Sequence, residues 1–341
     1  MGGDEFSITI KMDDGETVKI IYKALDSDEL YIDKFIYRHP NFPDYEISPN
    51  LSHQQILVLL PEELRAREQE GYKWIVEREA CSLNIVLQKD ERINLESLLS
   101  PRLLTERHLE SIIHLPGLRG NPERHYLTNA VYNKNQVTGR FENYVARIIR
   151  DWEPTRLKQL GLALEKLGLT WKVEAKQVDA TRVELRVGRL TQRQGAADLV
   201  NIADVGFGVS QTLPVIVALL AAAPGQIVYI EQPEIHLHPK AQYKMAELLA
   251  EAANRGVKVV IETHSSLLLR GIQTLVTQGQ LAPNRVKLHW FTRDNEGATV
   301  VNAASLDENG AFGEEWPEDF GEIELNAEQA YLDAVMYNHE K

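Results

Sequence analysis

The sequence is poor in the features that mark secreted and membrane proteins. Its 341 residues include one cysteine, Cys81, which excludes an internal disulfide framework and fits a reducing compartment. The longest apolar run, LPVIVALLAAAP, is too short to span a bilayer. The first ten residues, MGGDEFSITI, have no basic segment and no long apolar segment, so we expect no secretory signal. These absences predict a cytoplasmic protein without a membrane association.

The sequence also has fewer basic residues than acidic ones. The chain has 37 Lys and Arg residues against 50 Asp and Glu residues, and its formal net charge is −13. This balance argues against a protein that coats nucleic acid non-specifically. A local basic patch remains an alternative, because four arginines crowd one stretch: Arg182, Arg186, Arg189 and Arg193. Such a run is either a solvated strand face or a DNA contact.

A third absence concerns phosphate binding. The sequence contains no G-x-x-x-x-G-K-[ST] segment and no Gly-Lys dipeptide. In P-loop proteins this segment cradles the β- and γ-phosphates with backbone N–H groups and a lysine. The sequence therefore excludes a P-loop nucleotide site built from these residues alone.

The amino-terminal third predicts strands and then helices. Apolar and polar residues alternate over 5–12 and again over 17–25, around the turn Asp13-Asp14-Gly15, which indicates a hairpin. Residues 30–39 (LYIDKFIYRH) predict a third strand. Helical patterns follow over the segments 52–70 and 139–168, interrupted or started by Pro61 and Pro154.

From Thr170 onwards, strand patterns alternate with helix patterns. The segments are, in order, WKVEAKQV, TRVELRVG, SQTLPVIVALLAAA, QIVYIE, PKAQYKMAELLAEAANRG (closed by Gly256), VKVVIETH, SSLLLRGIQTLVTQG, VKLHWFTR and ATVVNAAS. Continuous Val and Ile runs between helices are typical of a parallel sheet covered on both faces. We predict an α/β fold with a mostly parallel sheet flanked by helices, preceded by β-hairpin and helical elements. Ligands of such sheets bind at the carboxyl ends of the strands.

Two of the predicted buried strands end in chemically informative residues. QIVYIE ends at Glu231 and continues as Gln232, Pro233 and Glu234. A carboxylate at a strand end suits the Mg²⁺ of a bound nucleotide, because this hard cation prefers oxygen ligands. An isolated acid at this position would mark only the end of the strand. His264 follows the next strand, where it is placed to donate to a γ-phosphate.

A glycine-rich segment precedes the apolar helix. Gly206, Gly208 and Ser210 would place backbone N–H groups and the positive end of the helix dipole near phosphate oxygens. The alternative is a glycine turn with Ser210 as the helix cap.

These motifs together resemble the ABC-type ATPases of the SMC, RecF and OLD (overcoming lysogenization defect) group. EQPEIHLHP resembles their Walker B and D-loop segment, VVIETHSSLLL their switch (H-loop) segment, and DVGFGVSQTLP their degenerate signature. HLPGLRGNPERHY and EEWPEDF resemble a bacterial subfamily with a terminal domain of unknown function, often found near defence genes. The resemblance covers roughly residues 110–335 of the chain.

The resemblance implies an ATP and Mg²⁺ site. Glu231 would hold Mg²⁺ through water, Gln232 would place the attacking water, and His264 would sense the γ-phosphate. Glu234 would be a weaker substitute for the catalytic base. A further set of residues would close the opposing site of a homo- or hetero-oligomer: Gly206, Gly208, Ser210 and Gln211.

The resemblance also implies a domain plan. Residues 1–110 would be the β-rich and helical part that follows the P-loop, 111–305 the ATPase lobe, and 306–341 a tail. Partners would be a Walker A-bearing chain or a second head, with an effector nuclease or toxin. The biological setting would be antiphage defence or DNA maintenance. Only about fifty residues follow the strand VKLHWFTR, too few for the Toprim nuclease of OLD relatives.

Two departures leave alternatives open. Gln232 stands where this group has a catalytic glutamate, which predicts slow hydrolysis, because an amide can orient a water but cannot take its proton. The missing P-loop fits a split ATPase, a truncated one, or a pseudo-ATPase that docks on and regulates a partner. A third class, a metal-dependent nuclease, would use Glu234, His236 and His238 on one side of an extended stretch.

Overall fold

The computed structural model describes residues 5–12, 15–24, 30–66, 72–79, 82–89, 92–99, 111–128, 140–189, 198–313, 326 and 328–336. The chain forms two compact units, Met1–Glu110 and Ser111–Lys341. None of the helices in these described ranges combines the length and apolar character needed to cross a bilayer.

The described residues of the first unit form two antiparallel sheets and two short helices. The first sheet consists of β1 (Glu5–Lys11), β2 (Thr17–Ala24), β3 (Leu30–His39) and β4 (Phe42–Ile47), in that order. The second consists of β5 (Tyr72–Glu79), β6 (Ser82–Lys89) and β7 (Arg92–Leu99). The predicted hairpin and third strand are confirmed, with Asp13 and Asp14 of its turn outside the described residues. The strands β4 to β7 were not predicted.

The helical pattern predicted over 52–70 is two helices, His53–Leu59 and Glu62–Arg65, and residues 67–70 lie outside the described part. Ser52 and Gln55 form a capping box at the start of the first helix. The break falls at Pro61, which has no N–H to donate to a continuing helix.

The second unit carries the α/β lobe. Its strands are β8 (Ile113–Leu115), β9 (Tyr126–Leu127), β10 (Val173–Gln177), β11 (Arg182–Gly188), β12 (Leu199–Asn201), β13 (Ile227–Glu231), β14 (Lys258–Glu262), β15 (Leu288–Arg293) and β16 (Thr299–Ala304). Its α-helices are Glu142–Asp151, Pro154–Lys166, Phe207–Ala221, Pro239–Asn254 and Ser266–Thr277. The predicted strand and helix pattern after Thr170 and the α/β fold class are confirmed.

The parallel sheet of this lobe has the strand order β14–β13–β8. Glu231 of β13 lies opposite Glu262 of β14, and Ile230 lies opposite Leu115 of β8. The strand β8 lies in a segment interpreted from sequence only as a Gly- and Pro-containing connection. Because β8 runs parallel to β13, its carboxyl end lies at the same edge of the sheet as Glu231. The sequence did not predict this placement.

The strand β14 differs from the buried strand expected from its Val and Ile run. Val259 and Ile261 pack against the core of the lobe, whereas Val260 is 50% exposed. Residue 260 points to the opposite face because side chains alternate along a strand. In the described part of the chain, β14 pairs only with β13. Within the described residues, the outer edge of β14 is unpaired and its Val260 side is half exposed, so the expectation of a sheet covered on both faces is wrong for β14.

Candidate functional site

The carboxyl ends of β13 and β14 meet in one corner of the second unit. Gln232 leaves β13 with a backbone φ of +44°, and its N–H donates to the carbonyl oxygen of Glu262 over 2.7 Å. A positive φ is uncommon for a residue with a side chain, and it turns the chain sharply out of the strand. The tight turn places the segment after Glu231 beside the segment after Glu262.

The Glu231 carboxylate is held from the β8 side. Oε1 accepts from His114 Nε2 over 2.9 Å, and Oε2 accepts from the Gly117 N–H over 2.9 Å. The Gly117 N–H and then His114 hold the pKa of Glu231 below its usual value, because both bonds favour the charged form. The His114 ring is also stacked on Tyr229, with ring centroids 5.0 Å apart. An ionised, partly exposed carboxylate therefore stands at the end of the strand.

Glu234 links this corner to the residue predicted as the switch histidine. Its side chain is only 8% exposed, and Oε1 accepts from the His264 backbone N–H over 2.9 Å. Its other carboxylate oxygen is buried without a hydrogen-bond partner. The His264 side chain itself is exposed. Ser265 then caps the following helix by accepting from the Leu268 N–H. The structure thus brings together Glu231, Gln232, Glu234 and His264.

Arg119 is the main functional candidate that sequence reasoning missed. It is 8% exposed, and its guanidinium donates to three main-chain oxygens: those of Gln211 (3.2 Å), Glu231 (2.6 Å) and Gln232 (3.2 Å). The only sequence signal was an arginine among glycines in HLPGLRG. Its burial depends on contacts about a hundred residues away, which no local pattern reveals.

The glycine-rich segment is placed differently from the prediction. The helix begins at Phe207, so only Gly206 precedes it, while Gly208 and Ser210 lie inside its first turn. Gly206 is the N-cap residue and has no side chain with which to cap the helix. Ser210 Oγ donates to the Phe207 carbonyl. The alternative of Ser210 as the helix cap is therefore wrong. A Cβ at Gly208 would lie 3.3 Å from the His236 carbonyl oxygen and 3.4 Å from the Leu169 side chain, so the first turn of the helix packs closely at this residue.

Gln211 is buried within its own chain. Its side-chain amide donates to the Gly120 carbonyl over 2.6 Å, while its own carbonyl accepts from Arg119. The role predicted for Gly206, Gly208, Ser210 and Gln211 towards an opposing subunit stays a prediction. The contacts described for Gln211 are all intramolecular.

The segment after Gln232 does not place its acidic and histidine side chains on one side. It is a series of turns in which Glu234 is buried, His236 has a φ of +66° and is exposed, and His238 caps the next helix at the Lys240 N–H. No group of three or more His, Cys, Asp or Glu side chains among the described residues is arranged to hold a metal ion. The one-sided arrangement required for the nuclease alternative is therefore wrong.

The basic stretch is partly neutralised. Arg182 pairs with Asp179 (2.6 Å), and Arg186 pairs with Glu184 (3.1 Å). Arg193 lies outside the described residues. These pairs are typical of a solvated strand face, and DNA binding through this patch stays a prediction.

Comparisons with known proteins give the family. The family model described as "AAA domain, putative AbiEii toxin, Type IV TA system" matches residues 5–270, well over half of the chain. No curated protein matches the chain.

Solved structures of SMC heads are distantly similar. The SMC head domain from Thermotoga maritima has a TM-score of 0.35 at 9% identity, over 87% of this chain and 73% of that one. An Smc head bound to the C-terminal winged-helix domain of ScpA has a TM-score of 0.42 at 10% identity, over 89% and 74%. An Smc head from Pyrococcus furiosus, bound to the C-terminal domain of ScpA, has a TM-score of 0.33 at 12% identity, over 44% and 34%. Similarity this distant carries no functional argument. The extent of the family match, in contrast, shows that the chain belongs to the AAA domain family of putative AbiEii toxins of type IV toxin–antitoxin systems.

Proposed function

We propose that this protein is the Walker B, switch and signature part of an ATP-binding head that hydrolyses ATP slowly. The observation that carries this proposal is the hydrogen-bonded corner where Glu231, Gln232 and the backbone of His264 meet at the ends of two parallel strands. Carboxyl ends of parallel strands are where α/β proteins bind their ligands. Membership of an AAA family supports a nucleotide as that ligand.

The residues present fit Mg²⁺ bound through water. Each Glu231 oxygen accepts one hydrogen bond and so keeps lone-pair capacity, and the lowered pKa keeps the group ionised at neutral pH. Mg²⁺ commonly takes one or two carboxylates, with substrate phosphates and water as its other ligands. A single ionised carboxylate therefore suits this ion. When bound, Mg²⁺ would neutralise charge on the β- and γ-phosphates.

The neighbouring residues divide the remaining roles. Gln232, fixed in its turn, would orient the attacking water, and the exposed His264 side chain would donate to the γ-phosphate. Glu234 is less suited to act as the base, because it is buried and already accepts from the His264 N–H. Its contact supports the position of the switch segment instead.

The P-loop would come from a segment outside this sequence, in another chain of a split head. The open edge of β14 supports this proposal. The N–H groups of Val259 and Ile261 point away from β13, because Lys258 and Glu262 make the bonds to β13 and successive residues alternate. A strand added in parallel at this edge would bring its own carboxyl end, and the loop after it, beside His264. The exposed Val260 face leaves room for the helix that follows such a loop.

The biological setting is part of the same proposal. The family description names a putative toxin of a type IV toxin–antitoxin system. We propose a cytoplasmic role in antiphage defence or DNA maintenance, in a homo- or hetero-oligomer whose effector is supplied by a nuclease or toxin partner. The second candidate, a pseudo-ATPase that only docks on its partner, predicts the same complex without a nucleotide requirement.

The test is Mg-ATP binding measured by calorimetry at near-physiological salt. It compares the purified chain alone with the chain mixed with a co-encoded protein that carries a strand and a G-x-x-x-x-G-K-[ST] loop. We expect binding only in the mixture, and we expect Glu231→Gln and His264→Ala to abolish nucleotide-dependent assembly. His289→Ala, an exposed histidine on β15, is the matched control. A complex that forms equally well without nucleotide and in both site variants would reject the ATPase and leave the docking module.

A further inference from the structure

Arg119 is buried among carbonyl oxygens that belong to two different elements. Its Nη2 donates to the Glu231 and Gln232 oxygens at the end of β13, and its Nη1 donates to the Gln211 oxygen in the second turn of the Phe207–Ala221 helix. A guanidinium offers five donors in a fixed planar fork, so it can hold several acceptors in one geometry. One side chain therefore ties the strand end to the helix.

Burial of this charge is unfavourable and is only partly offset. Desolvation lowers the pKa of the Arg119 guanidinium, while the negative charges of Glu142, Glu234 and Glu231 act in the opposite direction. Its Nε atom is buried without a hydrogen-bond partner. A buried charge that bonds carbonyls is expensive to place, so its contribution is to geometry more than to stability.

The geometry that Arg119 restrains is unusual at Gln232. This residue has a φ of +44°, which is strained for a residue with a side chain. Three hydrogen bonds hold the turn: its N–H donates to Glu262, and its carbonyl accepts from Arg119 and from the Ile235 N–H. Loss of the Arg119 bond would free the Gln232 peptide to relax.

The tie to the helix is reciprocal. Arg119 donates to the Gln211 carbonyl, and the Gln211 side chain donates to the carbonyl of Gly120, the residue after Arg119. Both ends of this pair are buried. A shift of the Phe207–Ala221 helix would therefore displace Arg119, which donates to the Gln232 carbonyl.

We propose that Arg119 is a positioning residue that fixes the Gln232 turn and couples it to the Phe207–Ala221 helix. This inference rests on the proposed function for its catalytic meaning, because Gln232 places the attacking water there. The coupling itself is a property of the chain alone. The two can therefore be tested separately.

The first test is hydrogen–deuterium exchange of the full chain without nucleotide. Arg119→Lys keeps a positive charge but loses the fork, so amide exchange should rise about tenfold or more in residues 230–235 and 207–213 together, the factor expected for a lost charge-assisted bond. Exchange in the Pro239–Asn254 helix should not change. Arg124→Lys is the matched control, because Arg124 is exposed on the same connection and pairs with Asp204 at the surface.

A second variant keeps the test decisive if Arg119→Lys does not fold. Gln211→Leu removes the bond to Gly120 but leaves the carbonyl that Arg119 contacts, so exchange should rise in the same two segments by a smaller factor. A rise in only one segment, or in neither, overturns the proposal.

The second test is ATP turnover by the chain with its P-loop partner. Arg119→Lys should lower kcat with little change in KM for ATP, and the double variant with Gln232→Ala should lose no more than Gln232→Ala alone. Additive losses, or a change in KM alone, would contradict a positioning role. If the wild-type complex turns over no ATP while the exchange result holds, the proposed function fails and the coupling stands.

Discussion

At the scale of single residues, the site combines carboxylates in contrasting surroundings. Glu231 is partly exposed and its charge is favoured by two hydrogen bonds, whereas Glu234 is buried and supports the His264 backbone. Glu142 is a third case, because both of its carboxylate oxygens are buried without a hydrogen bond to another residue. These environments, rather than the residue type, decide which carboxylate can meet a cation and which serves the fold.

The Glu234 contact predicts a difference between two variants. Glu234→Leu removes the acceptor of the His264 backbone N–H and should therefore lower the free energy of unfolding by about 1–3 kcal/mol. Glu234→Gln keeps an oxygen acceptor and should lose less. Urea unfolding of both proteins measures the difference, with Glu296→Ala, at an exposed loop position, as a control. Equal losses in the two variants would show that the hydrogen bond does not matter.

Glu142 predicts a dependence of stability on pH. Burial raises the pKa of its carboxyl, although its own backbone N–H and the positive charges of Arg140 and Arg119 act in the opposite direction. A raised pKa in the folded state means that ionisation of Glu142 opposes folding. The penalty is absent well below 4.5, the ordinary pKa of a glutamate carboxyl, grows as the pH rises above it and is complete above the raised folded-state pKa. Glu142→Gln should therefore stabilise the chain at pH 7 and have little effect near pH 4.

Thermal unfolding of wild type and Glu142→Gln across this pH range gives the measurement. A stabilisation that is as large at pH 4 as at pH 7 would exclude ionisation as its cause. Glu296→Gln is the control, since Glu296 lies at an exposed loop position and its change should shift neither curve.

At the scale of elements, the open edge of β14 is the feature with the most consequences. The residues that bond β13 are Lys258, Val260 and Glu262, and those that face away are Val259 and Ile261. An edge strand with free N–H groups is a template for another strand. A proline or a β-bulge protects many edge strands from pairing with another chain. The strand β14 contains no proline and pairs with β13 in continuous register, so it has neither protection.

The register predicts opposite results for proline at adjacent positions. Val259→Pro removes an N–H that points to the open edge, so the chain should fold but should no longer accept a strand from its partner. Val260→Pro removes an N–H bonded to β13 and should lower the free energy of unfolding by about 1–3 kcal/mol, the cost of leaving the partner carbonyl unsatisfied. Circular dichroism reports folding, and gel filtration with the P-loop partner reports binding. Partner binding that survives Val259→Pro would place the interface elsewhere.

How far the sequence predicts the site depends on the range of the contacts. The Val and Ile runs predict β13 and β14, because strand formation there follows local pattern. The same run cannot tell that Val260 is exposed, since exposure depends on which strands lie beside it. The helix start at Phe207 was missed because Gly206 and Gly208 read as a loop, although Gly208 lies in the first turn of the helix, close to the His236 carbonyl. The three-residue strand β8 is too short for any periodic signal.

At the scale of the whole molecule, each of the two units has its own buried core. Trp74 and Phe35 lie in the core of the first unit, and the parallel sheet contributes Val228 and Ile230 to the core of the second. Each unit therefore buries apolar side chains in a core of its own.

Linkage between binding and stability gives a prediction at this scale. Mg-ATP at about 100 times its Kd should stabilise the partner complex by about 2.7 kcal/mol, because ligand binds only the folded site. The chain alone should show no shift in Tm. Differential scanning calorimetry with ATP, with ADP and without nucleotide makes the comparison. An equal shift in Tm for the isolated chain would mean that its own residues bind the phosphates.

The open edge of β14 also bears on how the cell must handle this protein. Under the proposed split head, a newly made copy without its partner would display a strand edge and the half-exposed Val260. An uncovered edge can pair with other chains, and chaperones and proteases continuously triage incompletely folded copies in cells. Its abundance would then follow the supply of the partner, and excess copies would be cleared or would pair with one another. Matched synthesis of the two polypeptides, as from one transcript, would be the simplest way to keep such a subunit from becoming a burden.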